Sequence, residues 1–298
     1  MPARLPAALR ATLTGLALGL NTLLVTSSLV LPALLKLLVP VAAVRRAADH
    51  ALNALASTWV VINNAWIVAV CPTARWDVQG VEKLHPRGWY LVSSNHQSWV
   101  DILVLQRIFH GHIPFLKFFL KRELIWVPVI GLAWWALDFP FMKRGHGHGA
   151  RSSDLKTTRE ACEKFKRIPT SVINFVEGTR FTPAKHKRQN SPYRHLLRPK
   201  IGGLGIALAT MGEQFEALLD VTIVYPHGTP RFRDLLCGRI DAVTVRVHQR
   251  EIPPEVLGSD PIGDKAYRQR ISAWVEQQWA EKDRLIDELL RGVRDVPG

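Results

Sequence analysis

Cysteine is scarce in this sequence. The 298 residues include only Cys71, Cys162 and Cys237, and no two of them stand in a C-x-x-C spacing. That number and spacing exclude a disulfide framework and a cysteine-rich zinc site. We expect three free thiols in a reducing compartment, packed as small apolar side chains. Internal repeats and long low-complexity tracts are also absent.

Acidic residues are outnumbered as well, with 25 Asp and Glu against 39 Lys and Arg, giving a formal net charge of +14. This surplus leaves three classes of partner open, namely nucleic acid, an anionic membrane and a phosphorylated substrate. The basic run at 185–188 has only Phe181 and Tyr193 nearby as stacking aromatics. We therefore expect no specific nucleic acid partner, and the apolar N-terminus favours membrane lipids.

Charge is almost missing from the N-terminal region. From Ala11 to Val44 the only charged side chain is Lys36, and this stretch exceeds the ~20 apolar residues that cross a bilayer. A signal peptide, with its ~7–15 apolar residues and a small-residue cleavage site, fits less well. A second uncharged stretch at 51–74 contains Asn63 and Asn64. These asparagines favour an interfacial or re-entrant helix, with a buried helix of the globular domain as the alternative.

The change in composition near residue 75 predicts two units, a membrane-anchoring part at 1–74 and a globular domain at 75–298. Basic residues flank the first apolar stretch almost evenly, so they indicate the orientation only weakly. A basic domain with free thiols is typical of the cytoplasmic side of a membrane. In a bacterial cell, we expect the inner membrane with the globular domain facing the cytoplasm.

Strand and helix patterns alternate after residue 88. We predict strands at 89–93, 113–118, 139–142, 171–176, 219–225 and 240–249. Helices are predicted at 98–109, 129–136, 151–167, 202–211 and 263–290, and the proline-rich, basic stretch 185–200 is predicted to be a loop. The order indicates an α/β fold with a layered sheet flanked by helices, preceded by one or more membrane helices.

A polar motif, NHQSWVD, follows the first predicted strand. Ser98 can cap the next helix, which places Asp101 at the third helical position and His96 just outside the helix. The carboxylate can then fold back onto the imidazole and stabilise the imidazolium that forms when His96 accepts a proton. Developing negative charge in such a reaction needs a donor, for which we expect backbone amides near the His96 turn. The alternative is that Asp101 only completes a helix cap and His96 lies in a surface loop.

Two further strands end in charged residues. The second motif, FPFMKR, carries Lys143 and Arg144, and a pair of fixed cations suits a phosphate. In the third, FVEGTR, burying Glu177 and Arg180 beside an apolar strand is costly unless they are paired or bind a ligand. Gly178 permits a tight turn there. The fourth motif, VTIVYP, offers shape and apolar surface but no evident catalytic group.

These four motifs in this order, with LLRPKIGG between the third and the fourth, resemble the glycerolipid acyltransferase family across residues 90–230. The best-known members of that family are the 1-acyl-glycerol-3-phosphate acyltransferases. The resemblance implies that His96 and Asp101 are the catalytic pair. It also implies that the acceptor's phosphate is held by residues of the third and second motifs, here Glu177, Gly178, Thr179, Arg180, Lys143 and Arg144. The second motif departs from the family pattern because Pro140 lies within its strand.

The resemblance further implies an acyl-CoA or acyl carrier protein thioester as co-substrate, with no tightly bound cofactor and no metal. We expect transfer of the acyl chain to the free hydroxyl of 1-acyl-glycerol-3-phosphate. Close alternatives are another lysophospholipid or glycerol-3-phosphate as acceptor, and hydrolysis with water as acceptor. A different class is a non-catalytic basic membrane protein that binds nucleic acid or anionic lipid. His146 and His148 are expected to lie in a glycine-rich loop rather than in a metal site.

Overall fold

The computed structural model describes residues 6–139, 141–142, 160, 163, 165, 168–258 and 263–294. The predicted phosphate ligands Lys143 and Arg144, the histidines His146 and His148, and most of the helix predicted at 151–167 lie outside these residues. The helices of the described part are α1 (Ala7–Leu38), α2 (Ala42–Val70), α3 (Val100–Phe109), α4 (Ile130–Ala136), α5 (Pro183–Gln189), α6 (Gly202–Met211), α7 (Phe232–Leu236) and α8 (Lys265–Arg294). The strands are β1 (Arg75–Gln79), β2 (Tyr90–Ser94), β3 (Leu116–Phe118), β4 (Leu120–Lys121), β5 (Phe141–Met142), β6 (Ser171–Phe175), β7 (Ala217–Val224) and β8 (Ala242–Arg250).

Most strands join one mixed sheet with the order β1-β8-β7-β2-β6-β3. Every neighbouring pair is parallel except β7 and β8. Side chains alternate between the two faces of each strand, so that Val92 of β2 enters one apolar cluster and Leu91 enters the other. The first cluster contains residues of α1 to α4, and the second contains residues of α6 and α8. The predicted α/β layered fold is thereby confirmed.

The N-terminal region forms a pair of long helices joined by residues 39–41. Both helices are long and apolar enough to cross a membrane. Asn63 is buried between them, where its Oδ1 accepts a hydrogen bond of 2.9 Å from Nδ2 of Asn21. Trp59 Nε1 donates across the same interface to Thr22 Oγ1 at 3.1 Å. Asn63, one of the two asparagines that disfavoured a lipid-exposed span, is therefore hydrogen-bonded inside the helix pair.

The helix pair packs directly on the sheet domain. Leu52 of α2 shares an apolar cluster with Val104 of α3, and Thr14 of α1 donates from Oγ1 to the carbonyl of Leu236 at 2.8 Å. The predicted boundary coincides with the start of β1 at Arg75. Apolar packing is nevertheless continuous across that boundary, and the division into two units stays a prediction.

The strand register brings two distant motifs together. In the parallel sheet, Ser94 at the end of β2 is paired with Phe175 at the end of β6 and with Val221 in β7. Parallel neighbours end at the same edge of a sheet, so the chain leaving β2 lies beside the chain leaving β6. This edge is where ligands bind in open α/β sheets.

One local prediction was wrong, and one strand of the main sheet was missed. The stretch predicted as a loop begins with the helix α5, because Thr182 caps it by accepting from Lys185 N at 3.2 Å and Pro183 occupies the first turn, where no N–H is needed. The strand β1 was not predicted at all. It is a short edge strand with alternating exposure, and it lacks the apolar run that indicates a buried strand.

Candidate active site

The first motif holds an imidazole and a carboxylate in contact. His96 Nδ1 lies 2.8 Å from Asp101 Oδ2, and the same oxygen accepts backbone N–H groups from Gln97 at 2.6 Å and Ser98 at 2.8 Å. The Asp101 side chain is fully buried. Ser98 Oγ accepts from Val100 N at 3.1 Å, but the regular helix begins at Val100 with Trp99 as its N-cap, so Asp101 is the second helical residue and not the third as predicted. The predicted approach of Asp101 to His96 matches this geometry.

The second oxygen of Asp101 is held by a residue of the fourth motif. The hydroxyl of Tyr225 donates to Asp101 Oδ1 at 2.6 Å. Burial and the neighbouring carboxylate raise the pKa of Tyr225 well above its usual value, so the phenol stays protonated and remains a donor. Sequence reasoning missed this residue, because the fourth motif was thought to offer no catalytic group. A tyrosine at the end of a buried strand, where a phenol needs a partner, is the signal that could have found it.

The His96 ring is fixed but reachable. It stacks on Phe175 with ring centroids 3.9 Å apart and an angle of 14°, and its side chain keeps 12% of its surface exposed. When Nδ1 carries the proton shared with Asp101, Nε2 has a free lone pair. No hydrogen bond to Nε2 is formed within the described part of the chain. The ring is therefore oriented to accept a proton from a ligand at Nε2.

The backbone at His96 is held from two sides by the third motif. Glu177 Oε1 accepts from His96 N at 2.9 Å, and Phe181 N donates to His96 O at 2.7 Å. Glu177 Oε2 accepts from Leu197 N at 3.1 Å. The Glu177 side chain is fully buried, so in this structure it contacts the protein backbone rather than the open site.

The N–H groups of the His96 turn are already used. Those of Gln97 and Ser98 donate to Asp101, and that of His96 donates to Glu177. These three amides are consequently not free to stabilise a developing oxyanion, in contrast to the expectation from sequence.

Burial also controls the charge of Glu177. Loss of hydration outweighs the two backbone N–H donors and raises the pKa of Glu177 to about 8 from its ordinary 4.5. A carboxyl that binds its proton more tightly when folded stabilises the native state below pH 4.5. That contribution is lost as the pH rises to about 8.

We predict that replacing Glu177 with glutamine flattens the pH dependence of stability. The amide is a neutral isostere of the protonated acid, so the variant's melting temperature should change less than that of the wild type between pH 4.5 and 8. Thermal unfolding across this range measures the effect, with the exposed Glu288→Gln as the control. Parallel curves for Glu177→Gln and wild type would show that Glu177 is ionised throughout.

Four cations lie around the third motif, and we call Arg180, Lys185, Arg188 and Lys200 the basic cluster. Lys185 Nζ donates to Thr179 Oγ1 at 2.8 Å and to the carbonyl of Arg180 at 2.9 Å. Loss of hydration and repulsion from the other three cations lower the pKa of Lys185. Within the described residues, no carboxylate forms an ion pair with any member of the basic cluster. Positive charge that no carboxylate of the described residues neutralises suits a bound anion at this edge of the sheet.

Two of these cations, Lys200 and Arg180, are positioned by contacts at the turn around Gly178. Gly178 has a φ of +66°, and a Cβ at this position would lie 3.1 Å from Cδ of Lys200, whose side chain crosses the turn. The Arg180 guanidinium lies over the Trp99 ring, with 4.7 Å from Cζ to the ring centroid. Trp99, half exposed in the first motif, thus orients Arg180 on the same side of the sheet as His96.

The other side of the turn is anchored to β7. Asn95 is fully buried, and its amide both donates to and accepts from the backbone of Ile223 at 2.8 Å. Ser98 Oγ donates to the carbonyl of Pro230 at 2.6 Å. The side chains of the first motif that do not face His96 therefore fasten the turn to the neighbouring strand.

A buried ion pair supports this edge from the second face. Lys282 of α8 is fully buried and lies 2.6 Å from Asp220 of β7, and its Nζ also donates to the carbonyl of Val221. Trp279 Nε1 donates to the carbonyl of Leu197 at 2.9 Å, next to the residue that Glu177 holds. Sequence reasoning placed only a terminal helix here and missed this support.

The structure brings His96, Asp101, Gly178, Thr179 and Arg180 to one edge of the sheet. Glu177 lies beneath that edge as a backbone anchor. The basic cluster residues Lys185 and Lys200 were not assigned as ligands from sequence, although they lie in the basic stretch that was noticed there. Lys143 and Arg144 fall outside the described residues, and their role stays a prediction.

Comparisons with known proteins identify similar sequences and a similar fold. The family model described as Acyltransferase matches residues 75–228. A 1-acyl-sn-glycerol-3-phosphate acyltransferase 2 of Arabidopsis thaliana is 30% identical over 210 residues, which cover 66% of this chain and 51% of the relative. The epsilon enzyme of that name from Mus musculus is 24% identical, with 65% and 56% covered. This chain thus spans about half the length of the curated relatives it matches.

The fold comparison covers more of the chain. The crystal structure of the 1-acyl-sn-glycerophosphate acyltransferase from Thermotoga maritima aligns with 98% of this chain and 100% of its own, with a TM-score of 0.55. Sequence identity over that alignment is 19%, so the likeness concerns the fold.

Proposed function

Because the chain belongs to the acyltransferase family, we propose that it transfers a fatty acyl group from an acyl thioester to the free hydroxyl of 1-acyl-glycerol-3-phosphate. The observation that carries this proposal is the His96–Asp101 pair, whose Nε2 is left open, at the same edge of the sheet as the basic cluster. A base beside an anion site suits an acceptor that carries both a hydroxyl and a phosphate. The names of the relatives from Arabidopsis and mouse support the same acceptor.

In the proposed reaction, His96 Nε2 takes the proton of the acceptor hydroxyl as the oxygen attacks the carbonyl carbon of the thioester. A carbon–oxygen bond forms, the carbon–sulfur bond breaks, and the imidazolium returns its proton to the leaving thiolate. Asp101 stabilises the imidazolium between these steps. No covalent acyl-enzyme is needed, since Ser98 of the motif directs its hydroxyl to the Pro230 carbonyl.

Binding of the acceptor phosphate is assigned to the basic cluster. Arg180 offers a planar fork of donors that matches two phosphate oxygens, and Lys200 adds charge over Gly178. Thr179 and Lys185 fix the turn through their mutual hydrogen bond. Glu177 acts on binding through the backbone of His96 and Leu197 rather than by direct contact.

We also propose that α1 and α2 attach the protein to the cytoplasmic membrane, with the active site on the cytoplasmic side. Their length and apolar composition support attachment, and the thioester donors named above are cytoplasmic molecules. The donor is acyl-CoA or acyl carrier protein, held without a tightly bound cofactor.

The test is transfer of a labelled acyl group to lysophosphatidate by the purified, vesicle-reconstituted protein. The proposal expects phosphatidate to form only when both the thioester and the acceptor are present. Rapid thioester loss without any acceptor would identify a hydrolase. If neither donor acylates any lysophospholipid or glycerol-3-phosphate, the proposal fails. The protein would then be better explained as a non-catalytic binding protein.

Replacing Arg180 with alanine is expected to raise the acceptor KM at least about tenfold, since a charge-assisted contact is worth roughly 1.5–3 kcal/mol. Arg180→Lys should recover part of this loss, because the charge remains while the bidentate fork does not. The control is Arg284→Ala, which removes an exposed cation from α8. Equal acceptor KM values for Arg180→Ala and Arg284→Ala would remove Arg180 from the binding site.

A further inference from the structure

An apolar turn projects from the sheet domain between β4 and β5. Its residues are Trp126, Val127, Pro128 and Val129, and we call them the tryptophan turn. Trp126 is 84% exposed, and Val127 and Val129 are also exposed. The following helix α4 adds exposed Leu132 and Trp135. Soluble surfaces rarely show contiguous apolar patches of this kind, and such patches mark contact sites.

The tryptophan turn has a defined and costly shape. Val129 has a φ of +68°, a left-handed conformation that is strained for a β-branched residue. The turn is closed by Gly131 N donating to Val127 O at 2.9 Å, and a Cβ at Gly131 would lie 2.2 Å from the Ile125 carbonyl. Backbone strain of this kind is retained where the surrounding structure needs the shape.

The turn and α4 lie near a part of α1 that also exposes apolar side chains. Helix α4 packs against α1, and Lys36 of α1 forms ion pairs with Asp138, just beyond α4, and with Asp49 of α2 at 2.6 Å. On the same half of α1, Leu31 and Leu38 are about 70% exposed. Exposed apolar side chains are therefore found both on a helix of membrane-spanning composition and on the part of the sheet domain that packs against it.

The chemistry of this surface matches a lipid bilayer. Indole rings have an apolar body and one N–H donor, which suits the boundary between acyl chains and headgroups. Arg45 and Arg46 stand at the start of α2, beside the end of α1, where they can meet anionic headgroups. The net charge of +14 favours the same partner.

We infer that the tryptophan turn and α4 form a second membrane contact, made by the sheet domain itself. The turn inserts its apolar side chains into the acyl region of the bilayer, and the Lys36 ion pairs fix its position relative to α1. With a helix pair as its only attachment, the sheet domain could tilt relative to the lipid surface. Two separate contacts hold it in one orientation. This inference is independent of the proposed reaction.

The experiment places a fluorescent label on the turn. Cys71 and Cys237 are buried, so a Cys162→Ser background carrying Trp126→Cys is labelled with an environment-sensitive nitrobenzoxadiazole group. The full chain is reconstituted into vesicles of phosphatidylethanolamine and phosphatidylglycerol. Quenching is measured with bromines on the acyl chains and with iodide in the water. Ala273→Cys, exposed on α8 at the other face of the sheet, is the matched control.

At position 126 we expect brominated chains to lower the fluorescence at least about twofold and iodide to have little effect, since interfacial elements sit ~5–10 Å deep. The label at position 273 should show the reverse. Iodide quenching at 126 equal to that at 273 would overturn the inference. Shielding from both quenchers would also overturn it, because the turn would then be covered by protein, such as a second copy of the chain. An unchanged melting temperature shows that the exposed substitution leaves the fold intact.

Discussion

Replacing His96 with alanine is expected to lower kcat for acyl transfer by about 10²–10⁴-fold, with little change in the acceptor KM. The imidazole is the only base of the described site with an unshared nitrogen facing outward, whereas the phosphate is assigned to the basic cluster. Proton removal and acceptor binding should therefore separate in the kinetics. Initial rates at varied lysophosphatidate, with saturating thioester, measure both constants.

The His96→Ala variant keeps the fold if its backbone contacts to Glu177 and Phe181 survive, since both use main-chain atoms. His248→Ala, an exposed imidazole on β8, serves as the matched control and should retain full activity. If His96→Ala kept more than about a tenth of the wild-type kcat, general base catalysis by this residue would be excluded. A loss confined to KM would instead make His96 a binding residue.

The catalytic pair was accessible to sequence reasoning because it is local. His96, Ser98 and Asp101 lie within six residues, and a carboxylate in the first turn of a helix lies close to the backbone N–H groups that precede the helix. The hydrogen bonds of Asp101 to Gln97 N and Ser98 N follow from that same geometry. Local stereochemistry is the part of a fold that a sequence pattern specifies most directly.

The partners of that pair were not accessible, because they depend on the strand order. Tyr225 reaches Asp101 across 124 positions of sequence and Glu177 reaches His96 N across 81. Both contacts require β7, β2 and β6 to be neighbours, which hydrophobic patterning does not specify. The role of Glu177 changed for this reason. A charged residue after a strand suggests a ligand contact. In the fold, however, the backbone N–H groups of His96 and Leu197 donate to both oxygens of the Glu177 carboxyl group.

Replacing Asp101 with asparagine is expected to lower kcat by about 10²-fold with the geometry of the site retained. The position of Oδ2 faces the N–H groups of Gln97 and Ser98, so the amide oxygen must occupy it. The amide nitrogen then takes the position of Oδ1, where the Tyr225 hydroxyl can rotate to accept a hydrogen bond.

The His96 Nδ1–H group therefore keeps an acceptor in Asp101→Asn, and the imidazole keeps the tautomer that leaves Nε2 free. Only the negative charge is lost, so the imidazolium forms less readily and the rate falls. The acceptor KM should stay close to the wild-type value. Initial rates at varied lysophosphatidate measure both constants.

Tyr225→Phe is the companion variant, because it leaves the charge of Asp101 but removes the hydrogen bond at Oδ1. Its kcat should fall only about tenfold, because one buried acceptor, Asp101 Oδ1, loses its hydrogen bond. In the combined Asp101→Asn, Tyr225→Phe chain, the amide nitrogen has no acceptor, so the loss should exceed the product of the two single losses. Wild-type kcat in Asp101→Asn would show that the charge has no part in catalysis. A drop as deep as that of His96→Ala would show that the tautomer was lost as well.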